Sequence, residues 1–230
     1  MIFGRLRSPQ RRPTATGGTA ATPILDWRHP RVLELLDEAR DLDGRAYLIA
    51  AHRLVAARVR PVYAMNERRP VSTTLRLGQG SCSQRLALLE GLARGRGIPT
   101  RVRGLLLDGR FWHARLPRLR VLIPRHVILA WPEFLLGDRW VSVSELYGDL
   151  DALRAGGRFT NTAGETLFDA VARTAVDWDG ATCPACDLSG HVRADLGFFD
   201  SRDDLFDEHG QTLCAPVRVP ADLVMRRRAA

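Results

Sequence analysis

The feature that most constrains the fold of this chain is an apolar run between two glycine-rich segments. Gly78-Gln79-Gly80 comes just before Cys82, and leucine and alanine dominate the residues from there to Gly95 and Gly97. Glycine at the end of such a run is typical of a helix C-terminus. The pattern predicts an amphipathic helix of about four turns that begins at Cys82.

The segments on either side of this helix differ in character. Two helices are predicted before it, one that begins at Pro30 and one over residues 44–58. A polar stretch, 66–80, separates them from the helix at Cys82 and predicts a loop. Downstream patterns predict strands at 100–107, 125–135 and 140–143, with tight turns at Asp108-Gly109 and Gly137-Asp138. Helices followed by antiparallel strands predict an α+β fold.

The composition divides the chain into three parts. Residues 1–23 are rich in arginine, threonine, glycine and proline and have no periodicity, which predicts a flexible N-terminal tail. Residues 24–148 carry the helices and strands of the core. Residues 149–230 differ in character from the core: short helical patterns occur at 150–155 and 165–174, and the stretch 177–220 is acidic and loop-rich. We interpret this last part as an extension packed on the core, not as an independent domain.

The net charge is +8, and all 34 basic residues are arginines scattered among the 26 acidic ones. This distribution is typical of a GC-rich genome and does not indicate a phosphate-binding surface, so we expect no nucleic-acid partner. No window approaches the roughly 18 consecutive apolar residues that a membrane span requires. The first 18 residues lack the apolar core of a secretory signal. We therefore expect a soluble cytoplasmic protein without a membrane partner.

Cys82 has the placement of a nucleophile. A cysteine reacts as the thiolate, and the unpaired N–H groups and dipole of a helix N-terminus favour that anion. The same N–H groups can stabilise the oxyanion of a tetrahedral intermediate, and the preceding glycines allow close approach of a substrate. The alternative is that Cys82 is a small buried apolar residue, as most lone cysteines are.

The surroundings of Cys82 resemble the transglutaminase-like family over roughly residues 43–148. That family has a G-x-C helix start, a G-I-P turn into a strand, and a tryptophan-containing hairpin. The matching runs here are GSCSQRLALL at 80–89, RGIPTRVRG at 96–104, AWPEF at 130–134 and GDRWVSV at 137–143. The resemblance implies a papain-like core with a Cys-His-Asp triad and no cofactor. It also implies acyl-enzyme chemistry on a peptide, amide or acyl-carrying substrate, and the abundant arginines favour an anionic one.

The sequence departs from the family pattern at the two partners of the cysteine. In the simplest register the family histidine falls on Leu129 and the family aspartate on Ser144. A β-bulge or a changed hairpin register that shifts both partners would rebuild the triad with His126 as base and Glu145 as orienting acid. We therefore predict Cys82, His126 and Glu145 as the catalytic residues.

Several alternatives stay open beside this triad. Asp149 is a second candidate acid, and His113 is a second candidate base on the strand preceding His126. The replaced partners also allow a catalytically silent member of the family that serves as a binding or interaction module. Glu133 is expected to pair with an arginine. Trp131 and Trp140 are expected to pack the core.

The remaining cysteines lie together near the C-terminus. Cys183, Cys186, His191 and Cys214 have the residue types of a structural zinc site. The chain contains a single C-x-x-C pair, however, and the other candidate ligands follow at irregular spacing. A redox pair or simply buried thiols explain the pattern equally well, so we predict no metal site.

Overall fold

The computed structural model describes residues 15–64, 66–117, 120, 123–162, 165–182 and 184–212. Its helices and strands form an α+β architecture, as predicted. The helices are α1 (Pro30–Asp37), α2 (Gly44–Arg58), α3 (Val71–Leu77), α4 (Cys82–Gly95), α5 (Leu150–Leu153), α6 (Leu167–Ala170) and α7 (Arg202–His209). The strands are β1 (Arg60–Pro61), β2 (Gln79–Gly80), β3 (Thr100–Asp108), β4 (His126–Leu136), β5 (Arg139–Ser142) and β6 (Val192–Phe199).

The main sheet is antiparallel and has the strand order β5-β4-β3-β6. Strands β4 and β5 form the predicted hairpin through Gly137 and Asp138, and Gly137 has the positive φ of 60° that this tight turn requires. The predicted tight turn at Asp108-Gly109 does not lead directly into the next strand. After Asp108 the chain turns into a short 3₁₀ helix, Gly109–Trp112, and β4 begins only at His126.

Helix α4 is central and not amphipathic, which corrects the sequence prediction. Every residue from Ser83 to Arg94 is buried, because α1, α2 and α3 pack against the helix along with β3, β4 and α6. Most of its polar side chains have partners within the fold. Arg94, for example, donates to the Thr100 hydroxyl at 2.7 Å. Periodicity alone could not show this, since charged residues on a helix usually indicate a solvated face.

The segment 66–80, predicted as a loop, contains helix α3. Its threonines and valine are weak helix formers, so tertiary contacts supply the stability. The Asp26 carboxylate accepts hydrogen bonds from the backbone N–H and the hydroxyl of Ser72. Val71 is fully buried, and its side chain lies against Gly91 of α4. Short helices stabilised in this way leave little signal in the sequence.

The described part of the predicted tail, residues 15–23, lies against the core and is not free. Gly18 forms a β-bridge with Thr100, and the Gly17 N–H donates to the Asp200 carboxylate at 2.7 Å. Ala15 is buried. Gly17 and Gly18 make these contacts with their backbone groups, so no periodic pattern of side chains in the sequence predicts them. Residues 1–14 lie outside the described residues.

The C-terminal region contributes directly to the core. Strand β6 pairs with β3, and α7 packs against both strands. The loop-rich stretch predicted there therefore holds a strand of the main sheet and a helix. The boundary at residue 148 stays a prediction. Within the described residues, no helix combines the length and apolarity needed to cross a membrane.

Candidate active site

Cys82 is the first residue of α4, as predicted, and a capping box fixes it there. The Ser81 hydroxyl accepts a hydrogen bond from the Gln84 N–H at 3.2 Å, and the Gln84 side-chain oxygen accepts one from the Ser81 N–H at 3.1 Å. Gly80 has a packing role: a Cβ there would lie 2.9 Å from Cγ2 of Thr74. The glycine therefore lets α3 approach the start of α4.

The half-buried thiol of Cys82 is protonated at neutral pH. Burial is the largest influence and raises its pKa, and the carboxylates of Glu67 and Asp169 act in the same direction. The guanidinium groups of Arg85 and Arg115 oppose them, and the resulting pKa is about 12. Burial of the thiol is therefore the dominant influence on its pKa.

An ion pair between Arg85 and Asp169 lies next to the thiol. The guanidinium donates to the two carboxylate oxygens at 2.9 and 3.1 Å, and the Arg85 side chain is only 2% exposed. Burial disfavours the charged carboxylate, but hydrogen bonds from Arg85 and Thr166 keep the pKa of Asp169 below its ordinary value. Asp169 also completes a capping box with Thr166 at the start of α6. The pair thus joins α4 to α6 beneath Cys82.

His52 is a buried histidine near this pair that the sequence reasoning missed. Its Nε2 lies 2.6 Å from the carbonyl oxygen of Phe168, and its Nδ1 lies 3.0 Å from the Tyr147 hydroxyl. These partners fix the tautomer in which Nε2 donates and Nδ1 accepts. Burial lowers its pKa to about 4. His52 is therefore a neutral group that holds Phe168, the neighbour of Asp169.

A sequence signal for His52 does exist. It follows Leu48 by four residues and precedes Val55 by three, so it belongs to the buried stripe of α2.

The predicted base, His126, lies at the exposed start of β4, where Asp108 is its register partner on β3. The predicted acid, Glu145, is half-buried in a 3₁₀ turn, and its backbone carbonyl accepts from Arg45. Within the described residues, no hydrogen bond or ion pair joins Cys82, His126 and Glu145 to one another. Their catalytic roles stay predictions.

The bulge that would bring His126 into the family position is absent. The β3–β4 register is continuous from Thr100↔Phe134 to Asp108↔His126, and the β4–β5 register is also continuous. Side chains three positions apart on a regular strand lie on opposite faces. His126 and Leu129 therefore face opposite sides of the sheet, and no bulge in β4 brings His126 to the face of Leu129.

Core residues occupy the two positions to which the simplest register assigns the family's histidine and aspartate. Leu129 is 3% exposed and belongs to the main hydrophobic cluster. Ser144 is 4% exposed, and its hydroxyl accepts a hydrogen bond from the indole N–H of Trp131 at 3.0 Å. Both side chains are thus built into the packing around the hairpin.

The alternative site residues have other roles in the structure. Asp149 is exposed and caps α5 by accepting from the Ala152 N–H at 2.7 Å. His113 follows the 3₁₀ helix after Asp108 and does not lie on a strand, which corrects that prediction.

Three expectations about packing can also be compared with the structure. Glu133 pairs with Arg101 at 2.7 Å, and Trp131 belongs to the core, as predicted. Trp140 does not belong to the core cluster: its half-buried ring stacks under Arg101.

The C-terminal cysteine pattern is only partly within the described residues. Cys183 and Cys214 lie outside them. Cys186 is buried, and His191 packs edge-on against Phe111 with ring centroids 5.1 Å apart. In the described ranges, no group of three or more histidine, cysteine or acidic side chains is arranged to hold a metal ion.

Comparison with known proteins places this geometry in a family. The profile of the transglutaminase-like superfamily matches residues 34–144. A solved protein from Cytophaga hutchinsonii, described as a "putative cysteine protease", is 15% identical and has a TM-score of 0.46. The alignment covers 81% of this chain and 47% of that protein, so the chain corresponds to about half its length. No curated protein matches.

Residues 34–144, just under half of the chain, are similar to the transglutaminase-like superfamily, which confirms the resemblance seen in the sequence. Within this segment a half-buried cysteine stands at the start of the central helix.

Proposed function

We propose that this chain uses the transglutaminase-like fold to bind a ligand beside Cys82 without forming a covalent acyl-enzyme. The observation that carries the proposal is the packing of Leu129 and Ser144. A cysteine nucleophile needs a base within hydrogen-bond reach and an acid that orients the base. Here the family positions for both groups hold buried side chains that cannot exchange a proton with the thiol near neutral pH.

The state of the thiol supports the same proposal. With a pKa of about 12, the thiolate is on the order of 10⁻⁵ of the Cys82 population at pH 7. Because the thiolate is the reactive form, acyl transfer through this group would be slow at neutral pH. A silent member of the superfamily would keep the central helix and the residues packed around its start.

The pH dependence of alkylation tests this proposal. The rate at which iodoacetamide labels Cys82 is followed from pH 5 to 10 by peptide mass spectrometry, with Cys183, Cys186 and Cys214 as internal references. We expect the Cys82 rate to rise throughout this range without a plateau, since the pKa lies above it. The position of the inflection is independent of thiol accessibility. A plateau beginning between pH 6 and 7 would overturn the proposal.

A second candidate is a cysteine peptidase, amidase or acyltransferase acting on peptide, amide or acyl-carrying substrates. It is favoured by the placement of Cys82 at the start of a 14-residue helix within the segment that matches the superfamily. Cys82 would be the nucleophile, His126 the base and Glu145 the orienting acid. Mass spectrometry of the protein incubated with peptides and thioesters tests this candidate. It requires an acyl adduct on the wild type that Cys82→Ala abolishes and that His126→Ala and Glu145→Gln reduce.

The remaining properties are proposed from charge and composition. We propose a cytoplasmic protein that needs no cofactor and binds neither nucleic acid nor membrane. Part of the positive charge is neutralised within the fold, for example where Arg103 pairs with Asp179 and Asp195. Such pairing leaves less unbalanced charge for a phosphate backbone.

A further inference from the structure

Arg115 is a half-buried arginine whose charge lowers the pKa of the Cys82 thiol and that lacks a counter-ion in the described residues. Its Nη1 donates to the backbone carbonyl of Glu165 and, at 3.5 Å, to the Asn161 side-chain oxygen. Its Nη2 is buried and has no hydrogen-bond acceptor in the described parts of the chain. No carboxylate described in the structure lies within ion-pair distance of the guanidinium. A buried charge without an anion is costly.

The guanidinium is held in place by the surrounding structure. Asn161 is only 6% exposed and has a positive φ of 49°, a backbone conformation that asparagine tolerates better than most residues. Its side-chain N–H donates to the Phe111 carbonyl at 2.7 Å, which leaves the amide oxygen directed at Arg115. The Arg115 guanidinium carbon lies 5.8 Å from the Tyr63 ring. Burial raises the pKa of the Tyr63 hydroxyl, and the charge of Arg115 and a hydrogen bond with it oppose this rise. Arg115 is thus positioned by contacts that do not neutralise it.

A second unsatisfied donor lies on the other arginine beside the thiol. Arg85 is almost completely buried, and its Nε has no acceptor among the described residues, although its two terminal nitrogens bind Asp169 and Thr166. Both Arg85 and Arg115 act on the pKa of Cys82, as does the carboxylate of Glu67. Two unsatisfied arginine donors therefore lie near one thiol.

We propose that the Arg115 guanidinium binds the carboxylate of a ligand. This inference rests on the proposed binding function and names the chemical class that the site takes. Arg85 is neutralised by Asp169, which leaves the single charge of Arg115 for an anion. The nearby Glu67 and Asp169 carboxylates repel a dianion more strongly than a monoanion. A carboxylate, with one charge and two oxygens that match the planar guanidinium, fits better than a phosphate.

Two alkylating reagents of nearly equal size test the proposal. Iodoacetate carries a carboxylate and iodoacetamide a neutral amide, and both react with the same thiolate. The ratio of their rates at Cys82 therefore does not depend on the thiol pKa. We expect this ratio to exceed the ratio at Cys183, Cys186 and Cys214 by about tenfold, the effect of one charge-assisted hydrogen bond. Equal ratios at all four thiols would overturn the proposal.

Variants assign the effect to Arg115. Arg115→Gln should lower the Cys82 ratio to that of the other thiols, and Arg115→Lys should retain part of the preference. Arg45→Gln is the matched control, because Arg45 is also half-buried and donates to backbone carbonyls, those of Glu145 and Leu146. An unchanged ratio in Arg115→Gln, or an equal loss in Arg45→Gln, would refute the assignment.

Protection of the wild-type thiol keeps the test valid if the Arg115 variants fail to fold. N-acetylglycine should slow the labelling of Cys82 by iodoacetamide, and the uncharged N-acetylglycinamide should not. Protection by the amide, or equal protection by inorganic phosphate, would overturn the choice of a carboxylate. The proposed function is tested separately, because it depends on the pH at which the alkylation rate of Cys82 reaches a plateau. The carboxylate proposal depends on the ratio of the iodoacetate and iodoacetamide rates.

Discussion

Replacing Arg202 with methionine should destabilise the protein through the partner that is left behind. Arg202 begins α7 and is completely buried. Its guanidinium binds Glu90 in the middle of α4, the Ser83 hydroxyl at 3.0 Å and the Ala130 carbonyl at 3.2 Å. Methionine preserves much of the side-chain volume, so the principal effect of Arg202→Met is the loss of these three interactions.

The magnitude follows from the burial of Glu90, which is also 0% exposed. Removing one partner of a buried pair leaves an uncompensated charge, which costs about 3–5 kcal/mol. With a urea m-value of about 2–3 kcal/mol/M, the unfolding midpoint should fall by about 1–2 M. The double variant Arg202→Met with Glu90→Leu should recover much of this loss, because it removes both charges.

The loss of stability in Arg202→Met should also depend on pH. Burial raises the pKa of Glu90 above its ordinary value, although Arg202 opposes this. Without Arg202 that pKa rises further, so the folded state takes up a proton that the unfolded state releases at neutral pH. The stability of Arg202→Met should therefore increase relative to wild type as the pH falls from 7 to 5.

Urea denaturation followed by circular dichroism measures all four proteins of the cycle: wild type, Arg202→Met, Glu90→Leu and the double variant. A loss below about 1 kcal/mol for Arg202→Met, the value of an exposed pair, would refute the reasoning. Strictly additive single losses would also refute it, since interacting partners must show a coupling energy.

Three further predictions concern the groups around the site. His52 has a pKa of about 4, so the unfolded chain takes up its proton first as the pH falls. Stability should decrease between about pH 6.5 and pH 4, and thermal unfolding of His52→Gln should show a smaller decrease. The pKa of Asp169 is lowered in the fold. Its pair with Arg85 therefore stabilises the protein at pH values above the pKa of aspartate in the unfolded chain, and this stabilisation is lost in acid. Asp169→Asn should therefore lose about 2–4 kcal/mol at pH 7 and approach wild type below about pH 4, as urea titrations at the two pH values would reveal. Ser144→Ala removes one acceptor of the Trp131 indole and should cost about 1 kcal/mol by urea denaturation; Ser142→Ala, which removes the other acceptor at 3.0 Å, is the matched control. A Ser144→Ala variant as stable as wild type would show that the Ser142 hydroxyl suffices.

The elements that could be predicted from the sequence are those with strong local signals. Helix α4 follows from its run of leucine and alanine between glycines, and the turn between β4 and β5 follows from the conformational freedom of glycine. Helix α3 and strand β6 could not be predicted. The first depends on a hydrogen bond from Ser72 to the distant Asp26, and the second on pairing with β3 across about half the chain.

The residues of the candidate site also differ in whether a local sequence signal predicts them. Cys82 could be placed because its capping box lies within four consecutive residues, Ser81 to Gln84. Arg85 and Arg115 gave no signal of their own in a chain with 34 arginines. Asp169 reaches Arg85 from 84 residues away.

The sequence by itself determined the superfamily and the location of the cysteine, because both rest on local order and spacing of residues between 34 and 144. Only the tertiary structure decided the state of that cysteine. Burial and the charges of remote residues raise the thiol pKa, and the continuous strand register fixes His126 and Leu129 on opposite faces of the sheet. Desolvation and strand pairing depend on which distant segments meet, and no local pattern encodes them.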